Sequence, residues 1–153
     1  MNKFKSINKF KLILSWLIII FWLALIFNFS AQPVNKSNGL SKKVTEVVVE
    51  TVEKVVPEKE FNIDRMNHLL RKNAHFFLYL VLGILAMNIL KISGVNANKR
   101  IAVALLFCIL YAISDEFHQL FVPGRGAQVK DVLIDSAGAV VGIIIYSLLP
   151  HHT

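Results

Sequence analysis

The chain has 153 residues, of which 55% are hydrophobic and 18% charged, with a mean hydropathy of +0.56. A soluble domain carries roughly 25% charged residues, and it has no need to gather its apolar residues into long runs, so this composition excludes a soluble globular protein in favour of an integral membrane one. The net charge of +7 does not indicate nucleic acid, because four of the seventeen basic residues (Lys3, Lys5, Lys9 and Lys11) precede the first apolar run, where they suit anionic lipid and topology.

The first run spans Leu12 to Phe27, broken only by Ser15. It is longer than the apolar part of a secretory signal, and Asn28 to Pro33 offers no good small-x-small cleavage site. An uncleaved transmembrane helix over about 12–29 is expected, anchored by Trp16 and Trp22 and ended by Pro33.

Residues 34–60 are polar but patterned. Leu40, Val44, Val47, Val48, Thr51, Val52 and Val55 recur at helical spacing, with Lys43, Glu46, Glu50, Glu53 and Lys54 between them. The spacing predicts an amphipathic helix from about Ser41 to Val56, closed by Pro57, although the valines also suit a strand. Such a helix could be a lid on the bilayer surface or a solvated spacer.

The second spanning helix is expected to start near Asp64 as N-cap and to cross the membrane over about 73–91. A Ser-Gly-Asn turn leads to a third span, about 100–119, and a fourth, about 130–149, is stopped by Pro150. Ile101–Ile113 alone would reach only roughly 20 Å at 1.5 Å per residue. A span needs roughly 20 residues, so the third helix carries Ser114 to Gln119 into the membrane. The expected fold is therefore all-α. A single domain over 1–153 forms a bundle of four transmembrane helices, with an extracytoplasmic segment at about 30–71 that holds the amphipathic helix.

Basic residues in short loops favour the cytoplasm. The amino terminus and the 91–100 turn are basic, so both termini are expected inside. The 29–71 region and the 121–130 knuckle then lie outside, although lysines and arginines in 29–71 oppose this.

Three helix ends with ionisable groups meet at that outer face. His68, Lys72, His75 and Tyr79 form one stripe of the second helix. On the third, Asp115 and His118 share one face, and Glu116 and Gln119 the adjacent one. On the fourth, Asp131, Asp135, Gly138 and Gly142 line up, the glycines allowing another helix to approach closely. Between the last two helices, Pro123-Gly124 fits a type II turn, and Arg125 stands beside two glycines where its planar fork suits a carboxylate or phosphate.

Carboxylates at membrane depth cost roughly 2.5–3.5 kcal/mol each at a helix centre, so they persist when paired or functional. Pairing by Lys72, His75, His118, Arg125 and Lys130 is one reading. It leaves more polar groups than pairing requires. The candidate ligand-binding set is Lys72, His75, Tyr79, Glu116, Gln119, Arg125 and Asp131, and the candidate acid–base groups are Glu116, His75 and His118. His75, His118, Asp115, Glu116 and Asp131 include donors for a divalent metal. No HExxH or similar spacing appears, so neither metal nor cofactor is expected. Ser114 and Ser136 lack a nucleophile elbow. Cys108 is alone in an apolar run and reads as a buried, inert thiol.

Lys72, His75, Phe76 and Tyr79, then Glu116-x-x-Gln119-x-Phe121-x-Pro123-Gly124-Arg125, then Asp131 and Gly138, resemble the VanZ-like family of bacterial membrane proteins. Ser30-Ala31-Gln32-Pro33 is similar to that family as well, and the resemblance covers residues 10 to 149. Many members carry Asn where Asp135 stands, so this chain has one extra potential charge. The resemblance implies a bacterial cell-membrane location and a link to resistance against teicoplanin, a lipid-bearing glycopeptide that acts on cell-wall precursors. Expected partners are the lipid bilayer, a lipid-linked cell-wall precursor or lipoglycopeptide, and a further copy through Gly138 and Gly142, with no nucleic acid. Two functions stand side by side. One is a non-enzymatic binder of an amphiphilic envelope ligand. The other is a membrane enzyme acting on a lipid or wall precursor through Glu116 and His75 or His118. A small transporter ranks last, because no internal repeat or broken helix pair is evident.

Overall fold

The computed structural model describes residues 2–32, 63–123 and 125–149, with side chains described from residue 9 in the first helix and from residue 72 in the second. Four helices account for nearly all of these residues: α1 Asn2–Ser30, α2 Ile63–Ile92, α3 Ala97–Gln119 and α4 Val129–Leu148. Each contains a stretch long and apolar enough to cross a bilayer: Lys9–Ser30, Lys72–Ile92, Ala97–Gln119 and Val129–Leu148. At 1.5 Å per residue these stretches reach about 30 Å or slightly more, matching a hydrocarbon core. Among the described residues the protein is all-helical, and its four long apolar helices make it a multi-pass membrane protein. The amphipathic helix expected at about 41–56 lies outside the described residues, as do Pro33 and the side chain of His68.

α2 is the central element. It packs on all three other helices, most extensively on α4, while α1 and α4 make no contact with each other among the described residues. Burial of apolar surface does not drive helices together in lipid. Close backbone approach does. A Cβ on Gly138 would strike the carbonyl oxygen of Phe76, one on Gly142 that of Leu80, and one on Gly83 that of Ala139. Gly138 and Gly142 thus seat α4 directly on the backbone of α2. Because that face is used within the chain, the further-copy contact expected through these two glycines has no free surface there; an oligomer would use another face. The outward surface is apolar, with Phe21, Leu106, Leu110, Phe117, Leu133 and Ile144 all exposed for lipid.

The connections are tight. α2 closes in a Schellman motif: Val95 N–H donates to Leu90 O and Gly94 N–H to Lys91 O, each at 3.0 Å. Gly94 holds φ +79°, which favours glycine. Between α3 and α4, Arg125 N–H donates to Val122 O at 3.0 Å, closing a turn over Pro123-Gly124. The type of that turn depends on Gly124, which lies outside the described residues. Gly126 does not use a positive φ, and a Cβ there would meet only open space. α1 is pinned by two hydrogen bonds to or from its neighbours. Trp22 Nε1 donates to Leu78 O at 2.9 Å, and Tyr111 Oη donates to Leu23 O at 2.7 Å. In the core, Cys108 is buried as a free thiol.

Candidate functional site

One end of the bundle is polar. There the spanning part of α2 begins, α3 ends and α4 begins, so three helices place their ionisable turns at one level. A small, partly open cleft of about 20 Å³ lies among them, lined by Lys72, His75, Glu116, Gln119, Arg125, Asp131, Ile134 and Asp135. Six of the seven residues expected from sequence to bind a ligand line this cleft. The seventh, Tyr79, does not. It is fully buried one turn deeper on α2, with its ring 6.2 Å from that of Tyr111.

Two contacts organise the cleft. Lys72 Nζ lies 2.6 Å from Asp131 Oδ1, joining α2 to the first turn of α4. A carboxylate in that turn also faces the positive end of the helix dipole. Glu116, on the last turn of α3, accepts the backbone N–H of Gln128 at 2.8 Å. Gln128 is the N-cap of α4 and makes no side-chain cap of its own, so Glu116 fixes the entry to that helix. Arg125 stands at the rim, with Nη2 3.4 Å from the carbonyl oxygen of Phe29 at the end of α1.

A deeper layer was less evident from sequence. Asp135 is 1% exposed and Asp115 3%. His75 Nδ1 lies 3.7 Å from Asp135 Oδ2, beyond hydrogen-bond length. Asp115 Oδ2 accepts from Gln119 Nε2 at 3.4 Å, and the buried hydroxyl of Ser30 sits beside Asp115. Donor atoms of His75, Asp115 and Asp135 all lie within 4.8 Å of one another. The sequence hint was the run Asp131, Asp135, Gly138 and Gly142 on one stripe. Glycines forced against α2 turn the aspartates of the same stripe toward α2 as well.

His118 takes no part in the cleft. Its ring stacks on Phe27 of α1, 4.3 Å between centroids at 44°. Although Asp115 and His118 are three residues apart, Asp115 faces the α2–α4 seam and His118 faces α1. Ser114 is exposed, and neither it nor Ser136 lines the cleft. Lys130 is exposed and also stands apart from it.

The lining is acidic on balance. Lys72 and Arg125 face Glu116, Asp131 and Asp135, with Asp115 just behind. Lys72 pairs with Asp131, Glu116 accepts a backbone amide, and Asp115 and Asp135 lie in the buried layer.

The VanZ/LLP1 family profile matches residues 15–150, most of the chain. The chain belongs to the VanZ/LLP1 family. No curated protein and no solved structure matched it. The family match runs from the middle of α1 through α4, so the cleft lies wholly within the VanZ/LLP1 region.

Proposed function

We propose that this VanZ/LLP1 protein binds the polar headgroup of an amphiphilic or lipid-linked envelope molecule at the outer face of the bacterial cell membrane, without turning it over. The observation that carries this reading is the cleft itself. Seven polar or charged side chains and one apolar one converge where the spanning segments end, which is headgroup level. Pockets for drug-sized ligands enclose about 300–1,000 Å³. This cleft encloses only about 20 Å³, room for one small polar group, so it suits a single headgroup substituent while the rest of the molecule stays outside it. Arg125 at the rim and Lys72 offer contacts for phosphate or carboxylate, and Glu116, Gln119 and Asp131 accept hydroxyl or amine donors.

The basic amino terminus and the basic 91–100 turn support an outer location, because basic residues near short loops favour a cytoplasmic side for both termini. Teicoplanin and lipid-linked wall precursors are the ligands that the family resemblance brings forward. Occupancy of the cleft by either would lower the antibiotic's effect. The enzyme reading retains one specific support: Glu116 and His75 line the same cleft. Against it, Glu116 is held by the Gln128 amide, and no serine or cysteine is among the described residues that line the cleft.

Teicoplanin susceptibility of a sensitive strain expressing the protein, measured with membrane levels matched, tests the reading. Wild type should protect and Arg125→Ala should not. Equal protection by both would refute a headgroup role for the cleft. Loss of protection in Glu116→Gln with ligand binding intact would favour the enzyme.

A further inference from the structure

We infer that His75, Asp115 and Asp135 form a binding site for a first-row divalent metal ion, Mn2+ or Zn2+, at the floor of the cleft. The three residues come from three helices: His75 from α2, Asp115 from α3 and Asp135 from α4. That is why no local ligand spacing announces them in the sequence. Their donor atoms lie within 4.8 Å of one another. Ligands about 2.0–2.2 Å from one ion stand roughly 3.3–4.4 Å apart, so closing the site takes side-chain rotations that move the donor atoms by up to about an ångström.

The second observation is the state of the aspartates. Asp135 is 1% exposed and lines the cleft, and among the described residues neither of its carboxylate oxygens accepts a hydrogen bond, His75 Nδ1 standing 3.7 Å from Oδ2. Asp115 is 3% exposed, and although the Ser30 hydroxyl sits beside it, its Oδ1 accepts no hydrogen bond among the described residues. A buried polar group without a partner is strongly disfavoured. The single charge of Lys72 is balanced by Asp131 and does not balance two further aspartates. A dication held by two carboxylates and one imidazole nitrogen does. One nitrogen and two oxygens suit Mn2+ or Zn2+ better than Mg2+ or Ca2+, which prefer oxygen alone. Three protein ligands leave coordination positions facing the cleft.

The ion also bears on the ligand. Asp115, Glu116, Asp131 and Asp135 outnumber Lys72 and Arg125 by two. A bound dication removes that excess and makes the floor hospitable to a phosphate or carboxylate. This step rests on the headgroup reading; the metal site does not. Metal uptake can fail while Arg125-dependent headgroup binding persists, and the reverse also holds, so the two failures are distinguishable.

The test is Mn2+ titration of the full chain, purified, reconstituted in lipid nanodiscs and stripped with chelator, with free Mn2+ read by electron paramagnetic resonance. One Mn2+ per chain is expected, displaced by Zn2+. Asp135→Asn and Asp115→Asn should each weaken binding at least tenfold, while Phe77→Ala on the lipid face should not. Pulsed resonance of the wild-type complex should show coupling to an imidazole nitrogen, a readout that needs no variant to fold. Binding well below one ion per chain, or no nitrogen coupling, would overturn the site. So would an unchanged affinity in folded Asp135→Asn.

Discussion

Lys72 Nζ and Asp131 Oδ1 stand 2.6 Å apart, 59 residues apart in sequence but on adjoining helices. Both side chains keep partial contact with solvent, 19% and 23% exposed. The pair therefore belongs to the membrane boundary and not to the bundle interior. An ion pair of this exposure is worth about 1 kcal/mol, between the exposed and the buried cases. A double-mutant cycle with Lys72→Met and Asp131→Asn should return a coupling of that size in detergent unfolding. The exchanged pair Lys72→Asp with Asp131→Lys should recover part of it. No coupling would mean that α2 and α4 meet without help from this contact.

The glycine seam should dominate stability. Gly138→Ala and Gly142→Ala each drive a methyl group into a backbone carbonyl of α2, which no rotamer change can relieve. Overpacking of this kind costs about 1–3 kcal/mol, and Leu at either position should prevent folding. Gly126→Ala should be neutral, because a Cβ there meets open space. Melting of the detergent-solubilised variants checks all three.

Glu116 should govern the order of the α3–α4 connection. Its carboxylate accepts the Gln128 N–H at 2.8 Å, a charge-assisted bond. Glu116→Ala should raise the hydrogen-exchange rate of the Gln128 amide at least tenfold. Glu116→Gln keeps an acceptor oxygen and should raise it less. Equal protection in both variants would show that the turn holds α4 without Glu116.

Topology is open to a direct chemical check. In a Cys108→Ser background, Ala127→Cys beside the cleft should react with a membrane-impermeant maleimide added to intact cells. Ser93→Cys, at the opposite turn, should react only after permeabilisation. The reversed pattern would put the cleft in the cytoplasm.

Much of the architecture was legible in the sequence because lipid imposes it. Apolar runs of about 20 residues report spans, and Pro-Gly-Arg between two of them reports a turn. The polar residues Lys72, His75, Glu116, Gln119, Arg125 and Asp131 could be grouped because helical periodicity and alternating span direction put them at one end. Tyr79 and His118 show where periodicity stops. Tyr79 follows the Lys72–His75 stripe but lies a turn deeper, under the α2–α3 contact. His118 sits on the border between two faces of α3, and its ring is taken by Phe27, which no local pattern reveals. Asp115 and Asp135 were also hard to place. Their proximity depends on the rotation of α3 and α4 about their axes, and Gly138 and Gly142 set that rotation for α4 through tertiary contact.

The central claim, headgroup binding in the cleft, is most directly tested by equilibrium binding of a lipid-linked cell-wall precursor to the purified protein in nanodiscs. Wild type should bind one equivalent and release it unchanged, and folded Arg125→Ala should bind at least tenfold more weakly. Equal affinity in the two proteins, or conversion of the precursor by wild type, would contradict the account.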